Sequence, residues 1–71
     1  MTTPPRPDLT PRELEVLSLL AQGKSSHAIG ESLGITTRTA EAHAQRIVDK
    51  LGTQDTSQAV AIAVRDGIVK R

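Results

Sequence analysis

SSHAIGESLGITTRTAEAHAQRIVDKLG, residues 25–52, is the stretch whose reading decides the fold. Ser25 and Ser26 open it with hydroxyls suited to capping a helix. Ala28, Ile29, Ser32 and Leu33 then recur at helical spacing until Gly34, which supplies the left-handed residue that closes a helix. This predicts a short helix over 26–33. Thr36 or Thr37 caps the next one, expected over 37–51, whose Ala40, Ala44, Ile47, Val48 and Leu51 make an inward face. Ile35 is the lone large apolar residue of the connection and is expected to plug the angle between the two helices. Short helix, Gly34-Ile35-Thr36 turn, longer helix is a helix-turn-helix pattern, which uses a turn of about three or four residues containing Gly.

Working outward, Thr10-Pro11-Arg12-Glu13 reads as a helix start. Thr10 caps, Pro11 suits the first position, and Glu13 completes a capping box. A helix over 11–22 is expected, with Leu17, Leu20 and Ala21, and Val16 and Leu14 beside them, as its buried stripe, and with Gly23 as its stop. On the other side, Asp55 and Gln58 suggest a second capping box opening a helix over 56–66. That helix is apolar nearly all round from Ala59 to Val64, more than one buried face requires. Ile68-Val69 is placed to fold back onto the core. The fold class is therefore all-α, a four-helix bundle containing a helix-turn-helix. Met1 to Asp8 holds three of the four prolines and no apolar periodicity. Residues 1–8 are read as a disordered or polyproline-like leader or linker, and residues 9–71 as one domain.

Composition narrows the function. A chain of 71 residues is at most one domain, and without Cys or a Cys/His cluster its core must be aliphatic. It contains no Phe, Tyr or Trp, so the stacking platforms of single-strand and RNA readers are missing. Duplex DNA is favoured if nucleic acid is the partner. The net charge of +1 gives no bulk attraction to a polyanion, so that case rests on geometry. No nucleophilic Cys, paired His ligands or Gly-rich phosphate loop is present, and four small helices leave little room for a catalytic pocket; an enzyme is not expected, nor a metal or cofactor. No apolar run has the length of a membrane span, and a cytoplasmic location is the default.

Beyond the central motif, Leu9-Thr10-Pro11-Arg12-Glu13, Val16-Leu17, Leu20-Ala21, Gly23, Ile29, Leu33-Gly34-Ile35, Thr39, His43, Ile47, Lys50-Leu51-Gly52 and Ala59-Val60 together resemble the LuxR-type helix-turn-helix domain, the effector of LuxR, NarL, FixJ and GerE-like regulators. The resemblance covers Leu9 to about Arg71 without an insertion. It implies a four-helix domain that binds double-stranded DNA as a homodimer, sets Thr36 to Lys50 in the major groove, and pairs through its fourth helix. Val60, Ala61, Ile62 and Val64 are then the dimer-interface candidates. It also implies a receiver or ligand-binding domain ahead of residues 1–8 in a longer native chain.

Helical spacing puts Arg38, Glu41, Ala42, Gln45, Arg46 and Asp49 on the outward face of the third helix. Under the groove code Gln45 pairs with adenine, Ala42 touches a thymine methyl, and Glu41 accepts from a cytosine amino group. Arg38 and Arg46 sit nearer the phosphates but within reach of guanine, so Arg38, Glu41, Ala42, Gln45 and Arg46 are the base-readout candidates. Lys24, Ser25, Ser26, His27, Thr36, Thr37, Thr39 and Lys50 are the phosphate candidates, several of them at helix starts. His43 is expected to be packed and hydrogen-bonded rather than catalytic.

The copy is less cationic than the family pattern, which often has basic residues where Glu41, Ala44 and Ser32 stand. Residues 24–52 carry Lys24, Arg38, Arg46 and Lys50 against Glu31, Glu41 and Asp49, a net charge of +1. Each neutralised phosphate adds about 0.9 to the salt slope, so few contacts mean weak non-specific binding. Useful affinity then requires two half-sites read by a dimer. The alternative is a protein-interaction module that keeps the fold with weak or no DNA binding.

Overall fold

The computed structural model describes residues 9–69. The reading of residues 1–8 as a leader lies outside them. Four helices follow in order: α1 Pro11–Ala21, α2 Ser26–Leu33, α3 Thr37–Leu51 and α4 Thr56–Arg65. Helices α2 and α3 have the expected bounds, while α1 and α4 each end one residue early, with Gln22 and Asp66 serving as caps. The family of contacts is that of a bundle built round α3, which packs on α1, α2 and α4.

At the start of α1 the capping box is complete. Thr10 Oγ1 accepts from the Glu13 amide at 3.1 Å, and the Thr10 amide donates to Glu13 Oε1 at 2.8 Å. Sequence placed Leu14 beside the buried stripe, but Leu14 is 37% exposed and Glu13, at 2%, takes the inward place. The reason is helical spacing: Glu13 lies three and four residues before the fully buried Val16 and Leu17. A buried carboxylate needs a partner, and the Lys50 ammonium donates to the same Oε1 at 2.7 Å from the last turn of α3. The Lys50 hydrogen bond, then the Thr10 amide, hold the Glu13 carboxyl below its ordinary value of 4.5 against the opposing effect of burial.

The core is aliphatic throughout. Val16, Leu17, Ile29, Ile47, Ala59 and Ala63 are essentially inaccessible, and Val69 folds back to join them. Ile35 is half-buried and packs on this core from the turn, as its position implied. The second capping box is only half formed. Asp55 accepts from the Gln58 amide at 2.9 Å, whereas Gln58 Oε1 accepts from the Gln54 amide at 2.9 Å, one residue before the cap.

The angle between α2 and α3 is set at two glycines. Gly34 closes α2 at φ 70°, in the left-handed region where a side chain is strained. Gly30, inside α2, lies against the turn itself: a Cβ there would stand 2.7 Å from the Ile35 carbonyl oxygen and 3.3 Å from Thr36 and Thr37 backbone atoms. The Ile35 amide donates back to the Gly30 carbonyl at 2.9 Å. Because the obstructing atoms are backbone, they move only if the turn moves.

Two outcomes follow from this packing. Gly30→Ala, which in an open helix gains about 1 kcal/mol from propensity, here costs about 1–3 kcal/mol in a denaturant titration. For Glu13, the folded value lies below the unfolded one, so its stabilisation is complete above pH 4.5 and is lost as pH falls through the folded value. Glu13→Gln is expected to cost about 1–3 kcal/mol at neutral pH and to flatten the acid-side fall of Tm measured by circular dichroism.

Candidate nucleic-acid interface

The helix starts of α2 and α3 share one edge of the domain. Ser25 caps α2 by accepting from the Ala28 amide at 3.1 Å. Thr36 caps α3 by accepting from the Thr39 amide at 3.0 Å, and its hydroxyl donates to Thr39 Oγ1 at 2.9 Å. The Thr39 hydroxyl donates to no other side chain among the described residues. His27 Nδ1 lies 3.5 Å from Thr37 Oγ1, which joins the first turns of the two helices. Its Nε2 is 3.6 Å from Glu31, with both side chains about three-quarters exposed, so solvent screens that pair.

Of the sequence-predicted phosphate candidates, Lys24, Ser25, His27, Thr36, Thr37 and Thr39 are exposed and Ser26 is half-buried. They cluster where two helix dipoles present their positive ends and unpaired amides. Lys50 stands apart, at the far end of α3 with its ammonium on Glu13. Sequence reasoning missed this second role because the partner lies 37 residues away.

Along α3, Arg38, Glu41, Ala42, Gln45, Arg46 and Asp49 are all exposed, while Ala40, Ala44, Ile47 and Val48 are buried. The helix is 15 residues long, about 22 Å, and the ridge from Arg38 to Asp49 runs about 17 Å of it, enough to follow a groove. Its surface is not uniformly basic. Arg38 and Arg46 make no ion pair among the described residues, and between them Glu41 and Gln45 alternate with the Ala42 methyl. The Gln45 amide nitrogen donates to Asp49 Oδ1 at 3.1 Å, a contact that no periodicity argument foretells. His43 is half-buried, and the hydrogen bond expected of it does not form at Nδ1, which is buried and has no partner among the described residues.

On α4, Ala59 and Ala63 are buried in the core. Val60 and Val64 pack on it in part, Ile62 is half-buried and Ala61 is exposed. The apolar surplus noted in the sequence is thus divided between core and surface. Among the described residues, no group of His, Asp and Glu could hold a metal ion, and no helix is long and apolar enough to cross a membrane.

A short capped helix, a glycine turn and a longer helix with one buried and one exposed face define a helix-turn-helix protein. The family model of bacterial regulatory proteins of the luxR family matches residues 7–63, and the chain belongs to that family. It is 51% identical over 65 residues, 92% of its length, to the transcriptional activator protein BjaR1 of Bradyrhizobium diazoefficiens, of which it covers 27%. It is 39% identical over 62 residues, 87% of its length, to the response regulator protein VraR of Staphylococcus aureus, of which it covers 30%. A solved structure of the transcription factor GerE superposes with a TM-score of 0.81 at 34% identity, covering 87% of this chain and 92% of that one. These relatives are regulators of transcription rather than enzymes. The chain spans less than a third of the length of the two curated relatives.

Proposed function

We propose that this chain binds double-stranded DNA sequence-specifically as the effector part of a transcriptional regulator, with α3 in the major groove. The observation that carries the reading is the exposed ridge from Arg38 to Asp49, backed along its whole length by a buried face and fixed at its start by the α2–α3 turn. On this reading Arg38, Glu41, Ala42, Gln45 and Arg46 face base edges. Lys24, Ser25, Ser26, His27, Thr36, Thr37 and Thr39 hold phosphates at the two helix starts. Lys50, whose ammonium donates to Glu13, stands at the opposite end of α3 from these phosphate positions.

The domain acts as a homodimer joined through α4, where Val60, Ala61, Ile62 and Val64 supply the apolar contact. With a net charge of +1 over residues 24–52, one copy neutralises few phosphates, and two copies on half-sites about one helical turn apart double the contacts. The likeness to VraR, a response regulator protein, supports a receiver domain ahead of this segment in a longer chain, acting in the cytoplasm, where bacterial DNA lies.

Selection from random duplexes at low salt tests the reading directly. Paired half-sites are expected to be enriched; enrichment of no half-site would leave the protein-interaction module as the function. In the selected sequence, Gln45→Ala relaxes preference at one base pair, at a cost of about 1–3 kcal/mol, while Lys24→Ala weakens all sequences alike. For the dimer, Ala61→Glu changes an exposed position and leaves the core intact. It is expected to lower affinity for a two-half-site duplex on the order of 100-fold while sparing binding to a single half-site. Equal affinity of the variant and the parent for the double site in a titration by fluorescence anisotropy would rule out pairing through α4.

A further inference from the structure

We propose that Asp49 is a positioning residue for base discrimination, holding the Gln45 amide so that this side chain accepts adenine and rejects guanine. The inference rests on α3 lying in the major groove. Gln45 and Asp49 are four residues apart on the exposed face of α3, with Nε2 donating to Oδ1 at 3.1 Å. An ionised carboxylate only accepts, so the nitrogen end of the amide must face it; the reverse orientation would set two acceptor oxygens together.

With one N–H engaged by Asp49, the amide presents what remains: one N–H donor beside the Oε1 acceptor. Adenine displays the matching pair in the major groove, an acceptor at N7 and a donor at N6. Guanine displays two acceptors, N7 and O6. An unrestrained glutamine can turn both of its N–H groups towards that edge, whereas one tied to Asp49 cannot. The same carboxylate adds negative charge beside an acceptor-rich edge, and in a groove cleared of water its hydrogen bond to Gln45 strengthens. Fixing the side chain before binding also removes part of its ordering cost.

Asp49 has an opposite effect on overall affinity, because its charge stands on a face turned towards phosphates. Its removal should therefore strengthen binding in general and blur the reading of one base pair. A residue contributing only charge or helix stability would leave the adenine-over-guanine ratio unchanged, so the ratio is the quantity that reports positioning.

The test uses the whole chain and duplexes carrying the selected half-sites. Gln45→Ala first locates the base pair that Gln45 reads, and competition binding then compares adenine with guanine at that position. Asp49→Ala is expected to lower the adenine-over-guanine ratio about tenfold while raising affinity for an unrelated duplex several-fold. Asp49→Asn keeps an acceptor oxygen without the charge. It is expected to hold the ratio within about threefold of the parent while gaining the same general affinity. Circular dichroism confirms that both variants are folded. An unchanged ratio in Asp49→Ala, an equal loss in both variants, or no adenine preference at the Gln45-sensitive position overturns the role of Asp49 and leaves DNA binding standing. Failure of the parent chain to select any half-site overturns both.

Discussion

Everything on the exposed edge of this domain depends on the approach of the Gly30 backbone to the Ile35 carbonyl. A side chain at residue 30 would lie 2.7 Å from that oxygen, so α2 and the turn come together only because nothing stands between them. Gly34 then reverses the chain in a left-handed conformation, and Ile35 tucks into the core. The consequence is positional. The first turns of α2 and α3 are set side by side, close enough for His27 and Thr37 to meet, and α3 projects with its polar ridge outward. The site is a product of backbone packing before it is a product of its own side chains.

Electrostatics take a smaller part than the family pattern implies. One of the four basic residues between positions 24 and 52, Lys50, has its ammonium on a buried carboxylate. Glu41 and Asp49 further offset Arg38 and Arg46 along the ridge. Long-range attraction to phosphate is therefore slight, and on the proposed function discrimination comes from short-range contacts whose geometry is fixed in advance. The proposed role of the hydrogen bond between Gln45 and Asp49 fits that arrangement, since it sets a negative charge on the ridge beside the side chain it would orient.

The helices were legible because their signals are local. Caps at Thr10, Ser25, Thr36 and Asp55, and apolar residues at helical spacing, specify each element within one or two turns of sequence. Membership of the luxR family was legible from residues spread along the chain. What sequence reading missed is non-local or directional. Gly30 reads as a helix-weakening residue until its contact with a carbonyl five positions on is seen. Glu13 reads as a capping residue alone, and Leu14 as a core residue, because the partner that makes a buried carboxylate tolerable is supplied by the far end of α3. The outward face of α3 follows from a period of about 3.6 residues, but the direction in which the Gln45 amide points does not.

Glu13 Oε1 accepts at once from the Thr10 amide and from Lys50, and this has a mechanical meaning. Thr10 is where the chain enters the first helix, and Lys50 belongs to the final turn of α3. A single oxygen atom thus fastens the point of entry to the element that carries the ridge. The start of α1 and the last turn of α3 therefore share one acceptor, so loss of that carboxylate loosens both ends of the contact together.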